Sequence, residues 1–189
     1  LVSAPSGGGK NVVIRELLTR LPNATQLVTT TTREKRAGEI DGMDYYFISR
    51  DEFEKKILNG ELVEHNEYAG NLYGTEWKEL WQRQASHAVV LSQAEVNGKK
   101  SLDKLHVPHL SFFLLPEHFD SLQRRIRARG GVSEEILTER LAIAKKEIAA
   151  SAVYEYRLVN KEGKINETIR EIERIIRDRL AKIDKKGRT

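Results

Sequence analysis

The chain is expected to form an α/β domain with a mainly parallel sheet flanked by helices, interrupted by a smaller β-rich insert. Three observations predict this. A glycine-rich turn, SAPSGGGKN at residues 3–11, stands between a short apolar segment and a helical pattern. The second half alternates apolar strand-like runs with helical stretches, the rhythm of parallel βαβ units. The stretch at about 29–75 breaks that rhythm, being polar, rich in β-branched and aromatic residues and punctuated by glycines.

Leu1-Val2-Ser3 is expected to be the end of a first strand that begins before Leu1. After the glycine turn, Val13, Leu17, Leu18 and Leu21 recur at helical spacing, and Pro22-Asn23 closes the helix. Residues 27–32, LVTTTT, read as one strand, 33–44 as a loop and 45–48 as a short strand. Ser49 and Glu52 form a capping-box pattern for a helix over about 50–59, with Gly60 at the position of a C-terminal glycine. Residues 61–75 alternate apolar and polar around Gly70 and Gly74, which suggests strands and tight turns.

Further along, 87–92 and 110–115 read as buried strands with a helix near 95–105 between them. A charged helix covers about 117–129, Gly130-Gly131 breaks it, and Ser133 caps a long helix over about 134–151. Arg157-Leu158-Val159 forms a last short strand. Residues 165–183 place Ile165, Ile169, Ile172, Ile176, Leu180 and Ile183 on one stripe of an amphipathic helix.

With 189 residues the chain is about one domain, and 39% hydrophobic with 32% charged residues is ordinary globular composition. No apolar run approaches the roughly 18 residues that would span a bilayer, and no secretory signal is visible. The chain has no cysteine, which excludes disulfides, thiolate nucleophiles and cysteine-held metals and fits a cytoplasmic protein. A net charge of +4 is explained by binding small phosphates, without nucleic acid or a membrane as partner.

The glycine turn carries the chemistry. It matches the phosphate-loop pattern G-x-x-x-x-G-K-[ST] with both ends altered: Ala4 stands for the first glycine and Asn11 for the hydroxyl residue. Gly7, Gly8 and Gly9 let backbone N–H groups close on a phosphate, aided by the following helix N-terminus, and Lys10 supplies a point charge. Ser6 to Asn11 are therefore the candidate ATP phosphate-binding residues of a P-loop NTPase-type core. An empty glycine-rich turn is disfavoured because strand and helix both flank the motif. Ala4 adds one methyl and is a mild change. Asn11 replaces a hydroxyl that ligates Mg²⁺ with an amide oxygen, also a hard ligand.

Downstream, TTTTREKR (29–36), GEIDGMDYYF (38–47) and GELVEHNEYAGNLYGT (60–75) resemble the signatures of guanylate kinases in order, spacing and residue type. With the phosphate loop and the arginine-rich segment at 124–140, the resemblance covers almost the whole chain. It implies a single domain: a core at 1–28, 76–118 and 142–189, a GMP-binding subdomain at 29–75 and a helical lid at about 119–141. It implies that Arg33, Arg36, Tyr45 and Tyr73 hold the GMP phosphate, and that Thr29, Glu64 and Thr75 read guanine. Serine is the commoner family residue at the position of Thr29. A carboxylate can accept from both N1–H and the 2-amino group of guanine, a donor pair adenine lacks. Taken singly, each of these residues would read as an ordinary core or surface residue; the family order is what carries them.

The family's D-x-D-x-Q-G strand end reads QAEVNG at 93–98, so Gln93 loses a charge that would support the metal, while Glu95 keeps a carboxylate for the guanine amino group. The resemblance assigns Arg125, Arg129 and Arg140 of the lid to the ATP phosphates, against the plainer reading of a solvated basic helix face. The activity it implies is phosphorylation of GMP to GDP by ATP, with Lys10, Arg125, Arg129 and Arg140 catalytic and Mg²⁺ as cofactor. The alternative is a catalytically weakened module that binds GMP or a phosphorylated partner. A kinase for another phosphorylated small molecule is argued against by Glu64, Thr75 and Thr29.

Overall fold

The computed structural model describes residues 1–68, 70–128 and 133–186. In chain order the elements are β1 (Val2–Ser3), α1 (Lys10–Arg20), β2 (Ala24–Gln26), β3 (Thr29–Thr31), β4 (Tyr45–Phe47), α2 (Arg50–Leu58), β5 (Leu62–Tyr68), β6 (Asn71–Glu76) and α3 (Trp77–Ser86). They continue with β7 (Val89–Leu91), α4 (Val96–Lys104), β8 (Phe112–Pro116), α5 (Phe119–Ala128), α6 (Glu134–Ala150), β9 (Tyr156–Asn160) and α7 (Ile165–Lys186). The fold is mixed α/β, with parallel strands and flanking helices. No described helix is long and apolar enough to cross a membrane.

Two compact units form. The first comprises Leu1–Pro22, Gln93–Val96 and His109–Thr189; the second comprises Asn23–Ser92 and Asn97–Pro108. In the first, β1, β8 and β9 make an all-parallel sheet in the order β1-β8-β9, with Val2 opposite Phe112 and Phe112 opposite Tyr156. Its central strand is apolar on both faces because helices cover both sides: Phe112, Phe113 and Leu114 are buried. α1 and α7 pack together there, and Val13, Ile14, Leu17, Ile169 and Ile172 are buried. The expected Ile stripe of α7 is half-buried at Ile165, buried at Ile169, Ile172 and Ile176, and exposed at Ile183.

In the second unit β2 pairs with β7 in parallel, and a separate four-stranded sheet has the order β4-β3-β6-β5. β3 and β4 are parallel; β3-β6 and β6-β5 are antiparallel. α2 opens on the expected capping box: the Glu52 N–H donates to Ser49 Oγ, and Glu52 Oε2 accepts the Ser49 N–H. Gly60 follows with φ 66°.

One expectation fails here, and one element goes unpredicted. The single strand at 27–32 is two strands: β2 pairs with β7 and β3 with β4 and β6, and the chain changes sheet at Leu27-Val28. An apolar β-branched run satisfies either pairing, so its composition does not mark the break. Helix α3 lies where no helix is expected, although Trp77, Leu80 and Trp81 recur at helical spacing and Trp77 stacks on Trp81 at 5.5 Å.

Candidate active site

The phosphate loop runs from the end of β1 into α1. Gly7 and Gly9 take φ of 80° and 95°, and the Gly8 N–H donates to the Pro5 carbonyl at 2.8 Å. These left-handed residues turn the backbone back on itself before α1 begins. Gly8 is required by space rather than by φ: a Cβ there would stand 2.6 Å from the Ala4 Cβ and 2.9 Å from the Pro5 carbonyl oxygen. The altered first residue of the motif is thus accommodated because position 8 has no side chain. Lys10 donates its ammonium to the Ala4 carbonyl across the turn. Asn11 is exposed in the first turn of α1.

The loop is propped from behind by residues outside its motif. Buried Asn160, at the end of β9, donates Nδ2–H to the Gly8 carbonyl at 3.1 Å and accepts from the Thr168 hydroxyl on α7 at 3.4 Å. Tyr154 donates its hydroxyl to Ser3 at 2.8 Å, and Ser3 donates on to the Ala94 carbonyl. Each is a buried polar group satisfied by a distant partner, which fixes where β1 ends and the loop starts.

Gln93 forms a parallel bridge to Val2. Glu95 is half-buried in this unit, where burial raises its carboxyl above the ordinary range and Lys10 opposes the rise. Glu147, on α6, is pushed up to about 7 by burial; Lys10 pulls it down and Glu95 pushes it further up. Sequence reasoning missed Glu147, whose place in a helical repeat looks like any solvated acid.

Of the arginines near 124–140, Arg125 lies beside the loop: a Cβ on Gly7 would meet its Cβ at 3.5 Å. Arg124 pairs with Glu162 and Arg127 with Glu134, both on the surface. Arg140 is half-buried on α6. Arg129 and Gly130-Gly131 lie outside the described residues.

The second unit gathers the other candidates. Arg33 follows β3, its N–H donating to Thr31 Oγ1 at 3.1 Å. Its guanidinium lies 5.3 Å from the Tyr45 ring centroid and 5.6 Å from that of Phe47. It donates to Glu39 at 2.7 Å and to the Glu34 carbonyl at 2.6 Å. Glu39 also accepts the Arg36 N–H at 2.8 Å, so one carboxylate orders both arginines' segment. Hydrogen bonding from Arg33 holds the Glu39 carboxyl below the ordinary range. The Tyr45 and Tyr73 rings meet edge to face at 6.1 Å, and burial raises the Tyr45 hydroxyl.

The base-reading candidates lie on the same sheet. Glu64 lies opposite Thr75, which donates its hydroxyl to Glu64 Oε1 at 2.8 Å. Thr29 lies opposite Tyr45 on β3 and β4. Tyr73 and Thr75, two apart on β6, point to one face of the sheet. Gly74 between them admits no side chain, since a Cβ would stand 2.8 Å from the Glu64 carbonyl oxygen and 3.0 Å from Phe53. The structure therefore brings Arg33, Tyr45 and Tyr73 together, and Glu64 with Thr75; Arg36 is exposed at the loop's turn.

Comparison with known proteins identifies the family. The guanylate kinase family model matches residues 1–179. A guanylate kinase of Carboxydothermus hydrogenoformans is 39% identical over 160 residues, covering 85% of this chain and 78% of that protein. One of Prochlorococcus marinus is 37% identical over 177 residues, covering 94% and 95%. The crystal structure of guanylate kinase from Anaplasma phagocytophilum superposes with a TM-score of 0.75 at 32% identity, covering 95% of this chain and 84% of that one. The chain belongs to the guanylate kinase family.

Proposed function

We propose that the chain transfers the γ-phosphoryl group of ATP to GMP, yielding ADP and GDP, with the phosphate loop holding ATP and the four-stranded sheet holding GMP. The observation that carries this is the sheet's pairing of two chemistries: a guanidinium with two phenols, and a carboxylate held by a hydroxyl. The first set suits a phosphate. The second suits the N1–H and 2-amino donors of guanine. The reading of a weakened binding module is not favoured, since Lys10, the three glycines and Arg125 are all in place and the relatives named above are called guanylate kinases.

In this proposal the GMP-binding role falls to residues 29–75 and the lid role to 119–141. The backbone N–H groups of Gly7 to Lys10 and the Ser6 segment cradle the β- and γ-phosphates, and Lys10 leaves the Ala4 carbonyl to meet them. Arg33, Arg36, Tyr45 and Tyr73 present the GMP phosphate as nucleophile. A guanidinium has five N–H donors, so Arg33 can keep Glu39 and still donate to phosphate. Glu64 accepts from the guanine edge while Thr75 and Thr29 orient it, and Glu95 is available to the 2-amino group. Arg125, Arg129 and Arg140 neutralise charge on the transferring group. The protein supplies positioning and fixed charge; no covalent intermediate is needed.

Mg²⁺ is the implied cofactor. Among the described residues no group of three or more His, Asp or Glu is placed to hold a metal alone, so its ligands would be the ATP phosphates with one or two protein oxygens. The exposed amide oxygen of Asn11, next to Lys10, fits that part. Held there, the ion would supply positive charge to offset that of the ATP phosphates.

The test is a coupled assay of ADP formation from ATP and GMP across magnesium concentrations, with Lys10→Ala as control. GMP-dependent ADP formation that collapses in the variant is expected. Purified wild-type protein that binds GMP yet forms no ADP at any magnesium concentration would overturn the proposal.

A further inference from the structure

Glu79 belongs to none of the motifs above, yet among the described residues it is the one carboxylate that is fully buried. It sits in the first turn of α3. Three donors converge on it. Oε1 accepts the Val28 N–H at 3.1 Å and the Arg83 Nε–H at 2.8 Å, and Oε2 accepts the Tyr46 hydroxyl at 3.1 Å. Arg83 also donates to the Thr25 hydroxyl on β2 at 3.2 Å.

Two of the three donors adjoin residues assigned to GMP. Val28 precedes Thr29, Tyr46 follows Tyr45, and α3 itself begins two residues after Thr75. Glu76 holds the other neighbour of Thr29, accepting the Thr30 hydroxyl at 2.8 Å. Thr29 is thereby clamped from both sides by carboxylates one helical turn apart. The Val28 attachment lies where the chain changes from the β2–β7 sheet to the four-stranded one.

A buried ion pair adds little net stability over an apolar pair of similar volume, because desolvation offsets its Coulomb energy. What converging hydrogen bonds to one carboxylate do supply is a defined geometry. We propose that Glu79 is a positioning residue for GMP recognition, setting Thr29 through the Val28 N–H and Tyr45 through the Tyr46 hydroxyl, without touching substrate. The proposal rests on the assignment of GMP to this unit.

Steady-state kinetics on the full chain, with GMP and ATP each varied, test it. Glu79→Ala strands the Val28 N–H and the Tyr46 hydroxyl, and should raise KM for GMP about tenfold or more, with KM for ATP and kcat at saturating GMP changed by no more than about threefold. Tyr46→Phe removes one attachment and should raise KM for GMP about two- to fivefold with the same selectivity. Loss of thermal stability in Glu79→Ala with KM for GMP unchanged would overturn the proposal and leave Glu79 a scaffold residue. If Glu79→Ala does not fold, Tyr46→Phe decides: an unchanged KM for GMP overturns the proposal, a selective rise supports it. Wild-type protein that turns over AMP or IMP but not GMP would instead defeat the underlying substrate assignment, and the proposal with it.

Discussion

In the phosphate-loop unit the acids near Lys10, Glu95 and Glu147, are pushed up by burial, whereas in the sheet unit Glu39, Glu52 and Glu61 are held low by hydrogen-bond donors. Under the proposed function, the contrast follows from what each unit would use to meet a phosphate. The loop uses backbone N–H groups whose direction is set by Gly7 and Gly9 and by packing, with one lysine folded back on the Ala4 carbonyl. It needs no acid to hold its donors still. The sheet unit uses long side chains that would otherwise wander in solvent, so its arginine is tied to an acid before any ligand arrives. Backbone-built recognition should fail abruptly when its space is invaded; side-chain-built recognition should weaken by degrees.

The largest expected effect tests the lysine of the loop. Lys10→Ala should lower kcat by roughly 10²–10³-fold, the scale for removing one preorganised charge from a phosphoryl-transfer site, while GMP affinity measured by calorimetry stays unchanged. An equal loss of GMP affinity would erase the division of labour. Next comes Gly8→Ala, whose Cβ would meet Ala4 at 2.6 Å and the Pro5 carbonyl at 2.9 Å. It should cost about 1–3 kcal/mol of stability and raise KM for ATP. Adding Ala4→Gly should recover part of the loss but not all, since Pro5 remains. If the double variant is no better than the single one, Ala4 is not what makes Gly8 necessary.

On the sheet side the effects should be graded. Glu64→Gln puts an amide donor where guanine presents donors, and should raise KM for GMP by about 10–100-fold with kcat little affected. Glu39→Ala should raise KM for GMP by about three- to tenfold, as Arg33 loses the partner that orders it, with kcat little affected. A Glu39 variant with unchanged kinetics would mean that the rings of Tyr45 and Phe47 suffice to hold the guanidinium.

The same division explains what could be read before folding. The loop's glycines, the Ser49–Glu52 capping box and the periodicity of α7 are local patterns, and local patterns survive in one dimension. The residues proposed for GMP were recognisable only through their family order, since a lone Tyr45 or Glu64 has nothing local to distinguish it. What escaped were groups whose role depends on distant partners. Asn160 meets Gly8 from 152 positions away, and Tyr154 meets Ser3 from 151. Glu79 reaches back 51 positions to Val28. The split of 27–32 into two sheets escaped for the same reason, because β2 and β3 differ in their partners and not in their composition.

Glu147 sharpens the comparison at its finest grain. Its carboxyl holds a proton up to about 7 in the folded chain, against an ordinary value of 4.5. Between those values the folded state binds more protons than the unfolded one, so this group's contribution to stability falls as pH rises and is fully lost above about 7. Replacing it with glutamine keeps the shape and removes the titration. Glu147→Gln should match wild type near pH 4.5 and exceed it at pH 8, by on the order of 1–2 kcal/mol once screening of its solvent-facing part is allowed for. Thermal melts from pH 4.5 to 8 would show it, and parallel curves would sink the idea. Lys10 pulls Glu147 down while Glu95 pushes it up, so the gain should grow in a Lys10→Ala background and shrink in Glu95→Gln. The sheet unit has no equivalent: Glu39 already has its cation, and neutralising it should produce no stability gain at high pH.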